Sequence, residues 1–240
     1  MKRPAPSESP RLNPSTLAKL RRNLNGNHRC RIALTGGPGG GKTTAADLFR
    51  REIGDRVVIV PEAATLIFSG GFPRCHEHEA IRASQRAIFH VQRNLEDVQS
   101  AQYPGRILLC DRGTVDGAAY WPGEPSEFFS AQGTSLEQEL ARYDGVIFFE
   151  SAAVGGMSIE GGNPIRNESM HQAVELDGRL RGLWSQHPRF IVVRHNASFF
   201  KKISFGLAVL DGIVSELKNR PSRAALPPRQ QPARRPSRKR

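Results

Sequence analysis

The chain has 240 residues, 38% of them hydrophobic, and a formal net charge of +12. This length and hydrophobic content favour one sizeable domain, and the absence of any run of about 18 apolar residues argues against a membrane span. Three widely spaced cysteines without a Cys-x-x-Cys pair indicate free thiols in a reducing compartment rather than a disulfide-rich secreted framework. We therefore expect a cytoplasmic protein with no transmembrane segment.

The positive charge is concentrated at the two ends of the chain. Residues 1–30 carry a net charge of +6 and residues 218–240 carry +9, which leaves −3 for residues 31–217. Because both ends are rich in Pro and Ser, they cannot bury enough apolar surface to offset the entropy cost of ordering. We predict disordered basic tails at 1–28 and 218–240 around a domain at 29–217. Such tails either contact nucleic acid or acidic surfaces weakly, or act as solubilising extensions.

Between the tails, apolar runs typical of strands alternate with helical patterns. This alternation predicts an α/β fold in which a parallel sheet lies between layers of helices. The strands are predicted at 31–35, 56–60, 106–110, 145–149 and 190–193, and the helices at 42–53, 78–99, 135–143, 169–183 and 198–217. Ligands of such folds bind beyond the carboxyl ends of the strands, so the residues that follow each strand are the candidates for chemistry.

The first predicted strand runs into a glycine-rich loop that ends in Gly-Lys-Thr, with the spacing G-x-x-x-x-G-K-[ST] of a P-loop. Residues without Cβ let successive N–H groups turn inward, and the following helix adds its positive dipole end. Lys42 is then expected to reach the β- and γ-phosphates, Thr43 to ligate Mg²⁺ and Thr44 to reach the α-phosphate. We expect ATP, or GTP, bound with Mg²⁺. The predicted cradle comprises Gly36, Gly37, Gly39, Gly40, Gly41, Lys42, Thr43 and Thr44.

Glu62 follows the second predicted strand. A carboxylate at this strand end would lie across the crevice from the phosphate loop, where it could take the proton of an acceptor hydroxyl. Glu62 is therefore a candidate general base. The alternative is an ordinary first-turn glutamate that the helix dipole favours, with Pro61 setting the start of the helix.

The third predicted strand leads directly into Asp111 and Arg112. An Asp at this strand end is expected to be the second Mg²⁺ anchor. Water-activating ATPases commonly carry an acidic residue beside it, whereas Arg112 is suited to holding an acceptor beside the transferred phosphoryl group. This pair favours kinase chemistry. The alternative is that Arg112 is a surface cation or a partner of Asp144.

The long predicted helix carries two stripes at helical spacing. The apolar stripe is predicted to face the core and consists of Ile81, Ile88, Val91, Leu95 and Val98. The second stripe is polar with one aromatic, falls within a sector of about 80°, and consists of Arg82, Gln85, Phe89, Gln92 and Glu96. Gln side chains can read a base edge and Phe89 could stack on a ring, so we predict substrate contacts from Arg82, Gln85, Phe89 and Gln92. A solvated helix face is the alternative.

A glycine-rich segment precedes the fourth predicted helix and contains Arg166. Its composition predicts a lid that closes over the nucleotide, with Arg166 clamping the phosphates as charge builds. The alternative is a long surface loop whose Arg166 helps to cap the next helix.

These motifs together resemble the P-loop AAA-type NTPase domains related to the nicotinamide-riboside kinase part of NadR, and the nucleotide-binding domain of an insect photoreceptor-trafficking GTP-binding protein. The resemblance covers residues 29–217. It rests on the phosphate loop, Val60-Pro-Glu-Ala-Ala64, Gln85-Arg-Ala-Ile88, Cys110-Asp-Arg-Gly113, Asn163-Pro-Ile-Arg-Asn-Glu168 and Trp184-Ser-Gln-His-Pro188.

The resemblance implies a three-layer P-loop NTPase with the kinase-type strand order 2-3-1-4-5. It also implies a substrate site between Glu62, the long helix and Asp111-Arg112. Deoxynucleoside kinases are similar in that a Glu after the second strand is the base and an acidic-Arg pair follows the third.

Two functions are compatible with the sequence. The first is an ATP- and Mg²⁺-dependent kinase that phosphorylates a small nucleoside- or nucleotide-like acceptor, with Lys42, Glu62, Asp111, Arg112 and Arg166 as its catalytic residues. The second is an ATP- or GTP-binding switch that transfers no phosphate to a metabolite. A nucleic-acid-dependent ATPase recruited through the tails is a third interpretation.

Overall fold

The computed structural model describes residues 30–156 and 169–218. Five parallel strands form one sheet with the order β2-β3-β1-β4-β5, which confirms the predicted topology. The strands are β1 (Cys30–Thr35), β2 (Val57–Val60), β3 (Ile107–Asp111), β4 (Gly145–Phe149) and β5 (Phe190–Val193). The predicted tails, apart from the first residue of the C-terminal one, and the segment with Arg166 lie outside the described residues.

Eight α-helices connect or flank these strands within the described ranges. They are α1 (Lys42–Ile53), α2 (Ala63–Ser69), α3 (His78–Gln102), α4 (Gly117–Tyr120), α5 (Pro125–Ala131), α6 (Leu136–Leu140), α7 (Met170–Trp184) and α8 (Phe199–Lys218), with a 3₁₀ turn at Ala152–Gly155. The prediction missed α2, α4 and α5 because each spans at most two turns, too few to show a helical period. No helix in the described part of the chain is long and apolar enough to cross a membrane.

The sheet is buried on both faces, and alternate residues of β1 belong to different cores. Ile32 and Leu34 pack into a cluster with residues of α1 and α8. Ala33 packs on the opposite face with residues of α3, α5 and α7. This period of two explains why the strand sequences are almost continuously apolar.

The register of the central strand gathers the candidate residues at one edge of the sheet. Leu34 pairs with Asp111 of β3, and Thr35 pairs with Phe148 of β4. Because the strands are parallel, the loops that follow β1, β3 and β4 start side by side. The phosphate loop therefore begins next to Arg112 and to the turn after β4.

Helix α3 is oriented differently from the prediction. Its buried side chains are Ser84, Gln85, Phe89, Gln92 and Glu96, whereas the predicted core residues are only half-buried or, for Val98, 51% exposed. The predicted core stripe is therefore wrong except for half-buried Leu95, which packs against the core, and the alternative of a solvated polar face is wrong as well. The polar side tolerates burial because its charged member, Glu96, accepts hydrogen bonds from Arg31, Arg142 and Tyr143.

Candidate functional site

The phosphate loop joins β1 to α1 and requires glycine at defined positions. Gly36 has φ 130° and Gly41 has φ 84°, values in the left-handed region that favours glycine. A Cβ atom on Gly36 would lie 2.0 Å from the carbonyl oxygen of Phe149. The ammonium of Lys42 lies against the loop and donates to the carbonyl oxygens of Gly36 and Gly37, each at 2.8 Å. Thr43 and Thr44 follow on the exposed side of the first turn of α1.

Asp177 and Ser151 stabilise the phosphate loop through hydrogen bonds to its backbone. Oδ1 of Asp177 accepts hydrogen bonds from the backbone N–H groups of Gly37 and Ser151, both at 2.9 Å, and the Ser151 hydroxyl donates to the carbonyl of Pro38. Burial raises the pKa of Asp177, although these N–H donors oppose the rise. Sequence reasoning missed Asp177, since it lies 140 residues from the loop and no motif surrounds it.

The two predicted magnesium anchors are adjacent. The hydroxyl of Thr43 donates to Oδ2 of Asp111 at 2.6 Å. The other carboxylate oxygen of Asp111, Oδ1, is buried and has no hydrogen-bond partner in residues 30–156 and 169–218. Burial and the nearby Glu62 carboxylate raise the pKa of Asp111. An unsatisfied carboxylate oxygen beside a hydroxyl is the hard oxygen donor set that Mg²⁺ prefers, so these residues fit the predicted ion.

Glu62 and Arg112, which follow different strands, form an ion pair. Oε1 of Glu62 accepts from Nε of Arg112, and Oε2 accepts from the Thr65 hydroxyl at 2.6 Å. Burial alone would raise the pKa of Glu62, but Arg112, Thr65 and Lys42 together lower it to about 2. The carboxylate is therefore ionised at neutral pH. Glu62 also directly precedes α2, so the alternative is right that it stands at a helix start, but Glu62 is the N-cap and not a first-turn residue, and Pro61 lies outside the helix.

Arg112 is buried, with 9% of its surface exposed. Its Nη1 donates to Oδ2 of Asp116 at 2.8 Å, so two carboxylates hold the guanidinium. Both alternatives for Arg112, a surface cation or a partner of Asp144, are wrong. Asp144 instead accepts from the backbone N–H of Arg31.

Asp116 is a second site residue that the sequence did not reveal. Its Oδ1 accepts from the Thr35 hydroxyl at 2.9 Å and from Nε1 of Trp184 at 2.7 Å, while Oδ2 receives Arg112. One carboxylate thus joins the end of β1, the Arg112 guanidinium and α7. Thr35 and Trp184 are 81 and 68 positions from Asp116 in the chain, so no sequence motif marks this residue.

A cavity of about 480 Å³ opens beside the ion pair and extends to Pro38 of the phosphate loop. This volume falls within the usual range of small-molecule sites. Its walls come from α2, α3, the segment after β3, and α7. Among the lining residues are Phe68, Ile88, Gln172, Leu176 and Arg179.

Three of the four predicted substrate contacts line this cavity. They are Gln85, Phe89 and Gln92. The side-chain amide of Gln85 forms no hydrogen bond within the described part of the chain. Arg82 does not line the cavity, because its guanidinium donates to Glu79 and to the carbonyl of Pro122. The prediction for Arg166 lies outside the described residues.

Comparison with known proteins identifies the family and the fold. The sequence model of a family described as "AAA domain" matches residues 31–201. A search of curated proteins gave no match. Solved structures of NadR are similar at 12–13% identity over 82% of this chain, with TM-scores of 0.56 for the complex with NR and 0.51 for the complex with NAD and AMP-PNP. The chain spans about half the length of NadR, 54% and 51% in the two structures.

Deoxyadenosine kinase from M. mycoides with bound dATP is also similar, with a TM-score of 0.52, 13% identity, and coverage of 76% of this chain and 100% of the kinase. At such identities the three structures show a shared fold, the P-loop kinase fold with strand order 2-3-1-4-5. The family match covers most of the chain and includes the phosphate loop, Glu62, Asp111 and Arg112. The chain therefore belongs to the AAA domain family, and the predicted resemblance is confirmed in family and in fold.

Proposed function

We propose that this protein is a Mg²⁺-dependent kinase that transfers the γ-phosphoryl group of ATP to a hydroxyl of a small nucleoside-like acceptor. The observation that carries the proposal is the Glu62 carboxylate, which Arg112 holds in the lining of a cavity that also reaches Pro38 of the phosphate loop. A P-loop protein that only hydrolyses its nucleotide needs room for a water molecule beside its general base, and not a cavity of the size of a small organic acceptor. Solved structures of similar fold hold NR or dATP, which agrees with an acceptor of this size.

Each residue of the site has a distinct role in this proposal. Lys42 neutralises charge on the β- and γ-phosphates, and Glu62 takes the proton of the attacking hydroxyl. Arg112 holds the Glu62 carboxylate and places positive charge beside the transferred group. Arg166 adds a further cation to the phosphates.

Thr43 and Asp111 would hold the metal ion. A Mg²⁺ ion held there would offset the negative charge of the nucleotide phosphates. The unpartnered Oδ1 of Asp111 supports this assignment. The same oxygen set does not discriminate ATP from GTP, and ATP is our choice because the chain lacks the Asn-Lys-x-Asp motif that reads guanine.

The acceptor end of the cavity favours a ring that carries hydrogen-bonding groups. Gln85 is 9% exposed and its amide offers both a donor and an acceptor to the cavity. Phe89 packs edge-on against Phe128 and forms an apolar part of the cavity wall. We propose that the base of the acceptor lies against Gln85 and Phe89.

We propose further that the catalytic domain spans residues 29–217. We also propose that the protein acts in the cytoplasm.

The test is ADP release from MgATP across a panel of nucleosides, nucleotides and nicotinamide riboside. We expect at least one compound to raise ADP release above the acceptor-free rate. Glu62→Gln should then lower the stimulated rate by about 10²–10⁴-fold, the usual contribution of a general base, with little change in MgATP affinity. Glu137→Gln, the same change at an exposed residue of α6, should leave both unchanged. If no compound stimulates ADP release, the kinase proposal fails and a nucleotide-dependent switch becomes the better account.

A further inference from the structure

Gln92 lies beneath the Glu62–Arg112 pair, and both protons of its side-chain amide are used within the protein. The side chain is 2% exposed. Its Oε1 accepts from the backbone N–H of Ala63, and its Nε2 donates to the carbonyl of Arg112 and to Oε1 of Glu96, all at 3.3 Å. An amide NH₂ has two protons, so this group has no donor left for a ligand.

The first of these hydrogen bonds, from Nε2 of Gln92 to the carbonyl of Arg112, acts on a strained backbone. Arg112 has φ 71° and is the only non-glycine residue with positive φ in the described ranges. Such a conformation is unfavourable for a residue with a Cβ and persists where neighbouring groups hold it. The N–H of Arg112 donates to the carbonyl of Leu34, and its own carbonyl receives Gln92. Gln92 thus fixes one of the two peptide groups that flank this strained residue.

The second hydrogen bond, from the backbone N–H of Ala63 to Oε1 of Gln92, acts on the backbone beside Glu62. Ala63 is the first residue of α2, and its N–H is one of the helix N-terminal donors that lack a partner within the helix. Gln92 supplies the missing acceptor. Because Glu62 immediately precedes Ala63, the same amide fixes the backbone that carries the carboxylate.

Glu96 determines which way the Gln92 amide points. Glu96 is fully buried and accepts from Arg31 at 3.0 Å, Arg142 at 2.9 Å and Tyr143 at 2.6 Å. A carboxylate held by two guanidinium groups can only accept, so the Gln92 atom beside it must be the NH₂ group. The amide oxygen then necessarily faces Ala63.

We infer that Gln92 is a positioning residue that sets the relative placement of Glu62 and Arg112, and that its amide donates no hydrogen bond to the substrate. The inference deepens the proposed function and rests on it for the catalytic consequence. It replaces the expectation that the Gln92 amide reads the acceptor. Gln85, whose amide is free of partners in the described residues, keeps that role.

The test uses Gln92→Met, which keeps the length of the side chain and removes its hydrogen bonds to Ala63 and Arg112. Gln102→Met, the same change at an exposed position of α3, is the matched control. With an acceptor from the panel, we expect Gln92→Met to lower kcat at least tenfold while the KM for MgATP stays within twofold, because the phosphate loop is not touched.

A second readout needs no acceptor. The Nε proton of Arg112, assigned in heteronuclear NMR spectra by its absence in Arg112→Lys, should exchange with solvent at least tenfold faster in Gln92→Met than in the wild type or Gln102→Met. Gln92→Leu is uncharged and of similar size, loses the same hydrogen bonds and should show the same change, which covers the case of a Met variant that does not fold.

The outcomes separate the two proposals. Faster exchange without any acceptor-stimulated turnover in the wild type supports the positioning role and contradicts the kinase. Exchange and kcat both within twofold of the wild type in the Gln92 variants overturn the inference. A lower kcat with unchanged exchange also overturns it, because Gln92 would then act on the substrate directly.

Discussion

The hydroxyl of Thr43 donates a 2.6 Å hydrogen bond to Oδ2 of Asp111, which ties the start of α1 to the end of β3. The two residues are 68 positions apart in the chain. Their contact follows from the pairing of β1 with β3, which places the phosphate loop and Asp111 at the same edge of the sheet. The two oxygen ligands proposed for Mg²⁺ are thus already adjacent in the fold.

Asp111→Asn tests this assignment, since it keeps the shape of the side chain and removes its negative charge. We expect the Mg²⁺ concentration that half-saturates ATP binding to rise about tenfold, because a neutral amide attracts the ion less than a carboxylate does. Calorimetric ATP titrations at a series of Mg²⁺ concentrations measure this shift. Asp47→Asn, at an exposed position of α1, serves as the control. Equal Mg²⁺ midpoints in both variants and the wild type would show that Asp111 does not serve the metal.

The glycines of the chain should respond to alanine according to their surroundings. In Gly36→Ala the new Cβ would lie 2.0 Å from a backbone oxygen at φ 130°, so the phosphate loop must move. We expect MgATP affinity to fall at least tenfold. In Gly178→Ala, within α7, the Cβ meets nothing within 4 Å.

The Gly178→Ala variant should therefore be more stable than the wild type by about 0.5–1 kcal/mol, the difference in helix propensity between Ala and Gly. Urea unfolding measures this gain, and calorimetry measures the loss at Gly36. The prediction is contradicted if Gly36→Ala binds MgATP as the wild type does.

Because of Lys202, we expect the folded protein to become more stable as the pH rises into the alkaline range. Its Nζ donates to the carbonyl of Glu150 at 2.7 Å, and burial lowers its pKa from 10.5 to about 8, although Glu150 and Asp177 oppose this. Between these two pKa values the unfolded chain binds a proton that the folded chain has lost, so raising the pH stabilises the fold. Lys202→Met removes this contribution.

We expect the free energy of unfolding of the wild type, relative to Lys202→Met, to increase by about 1–3 kcal/mol between pH 8 and 10.5. Chemical denaturation across this pH range measures the difference, and it cancels the titration of groups that both proteins share. Parallel stability curves would mean that the ammonium keeps its ordinary pKa in the folded protein.

The sheet, the phosphate loop and the strand-end residues were all predictable because their signals are local. Apolar runs mark strands such as Gly145–Phe149, whose predicted bounds are the observed ones. The spacing that ends in Lys42 and Thr43 marks the loop, and the residues next to a strand end lie at the ligand edge of a parallel sheet. Glu62, Asp111 and Arg112 were predicted as site residues in this way, and the structure brings the three together.

The errors arise where long-range partners decide the outcome. Periodicity favoured the apolar stripe of α3 for the core, but Glu96 is buried because Arg31 and Arg142, 65 and 46 positions away, neutralise it. Asp116 and Asp177 were missed for the same reason. Their importance comes from partners such as Trp184 and Gly37 that only the fold brings near, and single-sequence patterns contain no record of such contacts.

The most direct measurement of the central claim is the fate of a radiolabelled γ-phosphoryl group of ATP incubated with the protein, Mg²⁺ and the stimulating acceptor. The account predicts that the label appears in the acceptor in equal amount to the ADP formed, and that Glu62→Gln suppresses this transfer. Label recovered only as inorganic phosphate, at a rate that the acceptor does not change, would contradict the account.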